Sequence, residues 1–101
     1  MVTCYLRYVI EPDKITDFEH YAKQWIPLVE KFGGHHHGYF LPHEGANNVA
    51  VALFSFESLA AYEQYRIDSQ SDAECMSAYK FAVSTKCIVS YQRSFMRPIL
   101  K

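Results

Sequence analysis

The chain has 101 residues, and what is scarce in it removes whole classes of function. No apolar run approaches the roughly 18 residues of a membrane span, so no membrane partner is expected. No arm or stripe is basic: 10 lysines and arginines stand against 11 acidic residues. The electrostatic footprint of a nucleic-acid binder is therefore missing. Cysteine occurs only at Cys4, Cys75 and Cys87, an odd count without C-x-x-C spacing. That argues against a disulfide framework, although one pair plus a free thiol stays open. Four glycines and four prolines punctuate the chain without forming a linker or a repeat. The first ten residues lack a basic region followed by a long apolar stretch, so no signal peptide is expected and the cytoplasm is the expected location.

Half of the residues are hydrophobic and 16% are aromatic. That composition excludes disorder. A chain of this size buries roughly two thirds of its unfolded surface, enough for one shallow core. So much aromatic area in a small chain is typical of interfaces and ligand pockets. Five histidines, His20, His35, His36, His37 and His43, accompany a formal net charge of −1. Mild acid that protonated them all would reverse its sign.

Residues 3–10 alternate, with Cys4, Leu6, Tyr8 and Ile10 on one face and Thr3, Tyr5, Arg7 and Val9 on the other. This predicts a strand, ended by Pro12. Asp13 is the expected cap of a first helix whose apolar stripe is Ile15, Phe18, Ala22, Trp25, Val29 and Phe32. Pro27 is expected to kink that helix or end its first part, and Gly33-Gly34 to close it. Residues 35–42 read as a second strand, residues 43–48 as a turn, and residues 49–56 as a third strand. The third is apolar on both faces and is expected to be central and covered on both sides. Ser58 caps a second helix bearing Leu59, Tyr62, Tyr65 and Arg66. After the polar interruption at Asp68–Ser71 the pair Ser71 and Glu74 forms a capping box, and the helix restarts. Residues 87–96 form the last strand, with Pro98 beyond it.

The order β-α-β-β-α-β over residues 1–101 predicts a single α+β domain of the ferredoxin-like kind, a four-stranded antiparallel sheet with helices on one face. The other sheet face carries Val49, Val51 and Leu53, or Ala50, Ala52 and Phe54, according to register. Either set is too apolar for water, so a second copy placed sheet against sheet, a homodimer, is expected.

Candidate chemistry is sparse. His35 and His37 share a strand face while His36 points away, and a third donor for a metal would be His43 or Glu44. The spacing lacks an H-x-x-x-H or H-E-x-x-H pattern, so no metal is expected. Tyr5, Arg7, Tyr91 and Arg93 are the candidates to line the inter-sheet space, where arginine and tyrosine hold anionic or aromatic ligands. Trp25, at helical spacing, reads as core. Gly33-Gly34 follows a helix rather than a strand, so no phosphate cradle and no cofactor is expected.

Several short motifs together resemble the NIPSNAP family of dimeric α+β barrels. They are Tyr8-x-x-Glu11-Pro12-x-Lys14, Trp25, Gly33-Gly34, Gly38-Tyr39-Phe40, Gly45 with Asn47-Asn48, Phe54-x-Phe56-x-Ser58-Leu59, Tyr65-Arg66 and Asp72. Phe54 replaces a frequent tryptophan and Tyr62 a frequent arginine of the pattern. The resemblance implies a single NIPSNAP-like domain that pairs sheet to sheet, and it adds Arg66 to the candidate site. It implies no agreed enzymatic activity. Three readings of function follow. The first is binding of a small apolar or aromatic ligand between sheet and helices, by Tyr5, Arg7, His37, Arg66, Tyr91 and Arg93. The second is a cofactor-independent oxygenase or isomerase of small aromatic substrates, with a histidine from His35 to His43 as acid–base group. The third is a non-catalytic protein-association module.

Overall fold

The computed structural model describes residues 1–100. Its elements run β1 (Val2–Ile10), a 3-10 turn (Pro12–Lys14), α1 (Ile15–Lys31), β2 (His35–Phe40), β3 (Val49–Phe56), α2 (Leu59–Ser69), α3 (Ala73–Thr85) and β4 (Ile88–Met96). The four strands form one antiparallel sheet in the order β2-β3-β1-β4. This is the expected ferredoxin-like α+β arrangement.

Register assigns the faces. Cys4 opposes Phe54, Leu6 opposes Ala52 and Tyr8 opposes Ala50. All six are buried, and with Ile10, Phe18 and Val29 they form the core beneath the helices. Thr3, Tyr5, Arg7 and Val9 pair with Ser55, Leu53, Val51 and Val49 on the opposite face. The expectation that β3 is covered on both sides does not hold within one chain. The helices all pack on the first face, and Val49, Val51 and Leu53 stay half-exposed on the second.

Two bulges break the strict alternation. In β2 the pairs are His36 with Phe54 and Gly38 with Leu53, which leaves His37 extra. In β4 the pairs are Ile88 with Ile10 and Ser90 with Val9, which leaves Val89 extra. One additional residue changes side-chain parity. Residues three apart therefore share a face, His36 with Tyr39 and Ile88 with Tyr91. β2 also stops at Phe40, two residues short of the expected end.

The helix ends differ in detail from the sequence reading. Asp13 is not a cap: it lies inside the 3-10 turn, and α1 begins after Lys14 without a side-chain cap bond. Pro27 does not end α1, which continues to Lys31 with the ring on the exposed side. Gly33, at φ +91°, lets the chain turn so that the Gly34 N–H donates to Val29 O at 3.1 Å. A Cβ on Gly34 would come within 2.7 Å of the Phe56 ring, so this close approach also requires glycine. Ser58 caps α2 as expected, accepting from Ala61 N at 3.0 Å. α3 is capped by Asp72 rather than Ser71. Asp72 has the extended backbone a cap needs, and its Oδ2 accepts from Cys75 N at 3.0 Å while Oδ1 takes Lys31 Nζ at 2.6 Å.

α1 packs on α3 and β2, and α2 leans on β3. β4, at the sheet edge, has no extensive helix contact. Its side chains beyond Ile88 are exposed, and a space opens between β4 and the two later helices.

Candidate ligand cavity between the sheet and the helices

The space is a cavity of about 870 Å³, within the size range of small-molecule sites. Its floor is the helix-facing side of β1, β3 and β4, with Leu6, Tyr8, Phe54 and Tyr91. α1 supplies Tyr21, Trp25 and Val29, and α2 supplies Tyr62, Tyr65 and Arg66. α3 and its end close the rim with Tyr79, Val83 and Lys86.

The aromatic rings form a connected wall. Tyr8 packs edge-on to Phe18 at 5.0 Å between centroids and lies 6.2 Å from both Tyr39 and Tyr91. The two bulges are what aim Tyr39 and Tyr91 at Tyr8 from either side. Tyr62 meets Phe95 at 4.7 Å, and Tyr65 stacks on Phe56 at 5.1 Å. Edge-on and offset pairs each add about 0.5–1.5 kcal/mol beyond area burial.

Burial sets the protonation of this wall. Desolvation holds the Tyr8, Tyr39 and Tyr65 hydroxyls well above the usual phenol range and pushes Tyr21 up to about 12. These phenols therefore stay neutral and keep a proton to donate at physiological pH. The Cys75 thiol, pushed by burial to about 11, is likewise no nucleophile. Trp25 Nε1 is buried without a hydrogen-bond partner, an unusual state for an indole N–H.

Two guanidiniums stand at the exposed edge of the wall. Arg66 Nη1 donates to Tyr62 Oη at 2.9 Å, and its guanidinium carbon lies 5.9 Å from that ring. Arg93 sits 5.4 Å from the Tyr91 ring centre. Both charges lower the Cys4 thiol pKa, against the larger effect of burial, which raises it to about 11. Both arginines line the same cavity.

The candidates named from sequence divide between the two faces. Arg66, Tyr91 and Arg93 line the cavity. Tyr5 and Arg7 do not: β1 register puts them on the open face, opposite Leu53 and Val51. Tyr5, Arg7, Tyr91 and Arg93 thus never meet as one set, because Tyr91 and Arg93 pair with the helix-facing Tyr8 and Leu6. His37 also lies away from the cavity. Its Nε2 is 2.8 Å from Ser55 Oγ, which lies 2.7 Å from Thr3 Oγ1. Ser55 is only 2% exposed, so His37 here holds a buried hydroxyl.

His35 stacks edge-on to His37 at 4.8 Å and approaches Glu30 at 3.7 Å. No group of three metal-ligating side chains occurs among the described residues. No histidine is among the cavity-lining residues. The residues that sequence reasoning missed are Tyr8, Tyr21, Trp25, Tyr39, Tyr62 and Tyr65. The visible signal of the five tyrosines is their recurrence at core positions in place of phenylalanine; Trp25 gives none beyond its helical spacing.

A family model described as NIPSNAP matches residues 5–100. A solved structure from Agrobacterium tumefaciens, described as a NIPSNAP family protein with unknown function, superposes with a TM-score of 0.83 at 20% identity. The match covers 97% of this chain and 87% of that one. An uncharacterised NIPSNAP domain protein from Burkholderia xenovorans gives 0.82 at 14% identity, covering 98% of this chain and 95% of the other. A putative antibiotic biosynthesis monooxygenase from Bordetella bronchiseptica gives 0.76 at 18% identity, covering 98% and 97%. At these identities the structures share a fold. No curated protein matches this chain in sequence.

Proposed function

The chain belongs to the NIPSNAP family, and on that footing we propose that it binds a small apolar or aromatic molecule in the cavity between the sheet and the helices. The observation that carries this reading is the cavity itself. About 870 Å³ is walled by tyrosines and Trp25 and edged by two arginines, the mixture that small-molecule sites show. The same reading makes the protein a homodimer, joined through the open sheet face. Val9, Val49, Val51 and Leu53 stand together there beside the exposed Phe40 and Met96, and no helix covers them. Three unpaired thiols, all buried, support a cytoplasmic location.

Binding is favoured over catalysis by the lining. The oxygenase or isomerase alternative rests on a histidine between His35 and His43 as its acid–base group. His36 is the buried one, and it stacks on Tyr39 at 4.9 Å without lining the cavity. The likeness to proteins described as monooxygenases is one of fold.

Native mass spectrometry on protein purified without chelator tests both parts. The expected result is a dimer mass with one organic adduct per chain. A monomer that keeps the adduct would remove the dimer and leave the pocket. A bare dimer that takes up no added naphthalene derivative would remove the pocket and leave an association module.

A further inference from the structure

Resting on that reading of the cavity, we propose that its ligand is an organic anion. The ligand's aromatic body lies on the tyrosine wall, and its acidic group is held between Arg66 and Arg93.

The charge on the lining is lopsided. Arg66, Arg93 and Lys86 are its cations and Glu11 its one carboxylate. The protein as a whole carries −1, so positive charge is concentrated here against the trend of the sequence. Neither guanidinium has a carboxylate within 4 Å among the described residues; the ion pairs of the fold use Lys23, Lys31 and His35 instead. Both arginines are positioned by aromatic rings, Arg66 through Tyr62 and Arg93 over Tyr91. A guanidinium laid over a ring keeps N–H groups of its fork available, and that fork fits a carboxylate or sulfonate.

The spacing of chemistry along the cavity agrees. Tyr8 and Tyr65 are buried, Tyr39 and Trp25 half-buried, whereas Arg66 and Arg93 are exposed. An amphiphilic anion matches this gradient: its rings replace water against the wall while its charge stays at the wet edge. A neutral hydrophobe would leave both cations unused. A dianion such as a nucleotide would find no glycine loop and no second cluster of donors.

Two probes of nearly equal shape separate the charge from the body. 1-Anilinonaphthalene-8-sulfonate carries the anion; N-phenyl-1-naphthylamine lacks it. Both are titrated by fluorescence into the intact protein, with Trp25, the sole tryptophan, as energy donor. The expected result is saturable sulfonate binding, at least tenfold tighter than the neutral amine and weakened by added salt. Arg66→Met and Arg93→Met should each loosen the sulfonate by about tenfold and the neutral probe by far less. Equal affinity for the two probes, with no effect of either substitution, would overturn the anion while leaving the cavity reading in place. If neither probe saturates, or if a probe binds and Ala82→Trp within the cavity leaves its affinity unchanged, the cavity reading itself falls and the anion with it.

Discussion

The two faces of the sheet are built from the same strands, yet they have opposite characters. The helix-facing side holds large rings: Tyr8, Tyr39, Phe54 and Tyr91, with Phe18, Tyr62 and Tyr65 above them. These rings wall the space between the edge strand β4 and the helices, and a cavity remains there. The open side holds Val9, Val49, Val51 and Leu53 beside Tyr5, Arg7 and Phe40, with a short polar chain through Thr3, Ser55 and His37. No helix covers this mixture of branched and long side chains. One face borders a cavity and the other stays uncovered within the single chain.

The comparison is broken most severely by truncation on each side of β3. Phe54→Ala should cost about 3–4 kcal/mol, the usual loss for a buried phenylalanine that touches many rings. Val51→Ala should cost under about 1 kcal/mol in dilute protein, since its side chain is half-exposed in the single chain. Urea unfolding at several protein concentrations measures both. A Val51→Ala cost that grows with concentration would reveal a partner on the open face. Equal costs for both substitutions at every dilution would mean the faces do not differ as described.

A smaller effect separates the faces by pH. His36 is buried on the helix side and exposed His37 lies across the sheet. His36 Nδ1 accepts from Gly38 N at 2.9 Å, while Nε2 has no partner. Burial lowers its pKa to about 4, helped by the charges of His37 and His35 and opposed by Glu30. The unfolded chain then takes up a proton near pH 6.5, well before the folded one does. The contribution of His36 is complete above pH 6.5 and is lost as pH falls toward 4, on the order of 2 kcal/mol. His36→Phe, which keeps a ring on Tyr39, should flatten the stability curve over that window. An acid profile of His36→Phe identical to that of the unsubstituted protein would remove His36 as the source.

The smallest effect lies at the cavity rim. Lys86 ends α3 with φ +56° and donates its N–H to Ala82 O at 3.0 Å. A left-handed cap suits glycine, so Lys86→Gly should stabilise the protein by about 0.5–1 kcal/mol. Thermal melting checks this. A lower Tm would show that the lysine side chain contributes packing at the rim that its backbone strain conceals.

Much of this contrast could be read in advance, and the reasons for the remainder are physical. The alternation of residues 3–10, the stripe from Ile15 to Phe32 and the Gly33-Gly34 stop each encode local geometry, and together they determine the fold. The site needed knowledge of which face each strand presents. A bulge leaves no mark in composition, and one at His37 and one at Val89 shift parity by a single residue. Hence strict alternation groups Tyr91 and Arg93 with Tyr5 and Arg7, from which the sheet separates them. Trp25 was read as core, and it does pack against the core cluster; the cavity beside it depends on the distance between β4 and the helices, which no local pattern records.

The bulges also bear on how the gene can change length. Within a regular strand, loss of one codon turns every later side chain to the wrong face. Here His37 and Val89 are already supernumerary: without either one, the pairs on both sides would keep the partners they have now. The strands thus hold two places where a deletion would be absorbed without inverting the sheet. Val89 lies on the cavity rim, so descendants of this sequence have a route to reshape the mouth of the pocket while the fold stays in register.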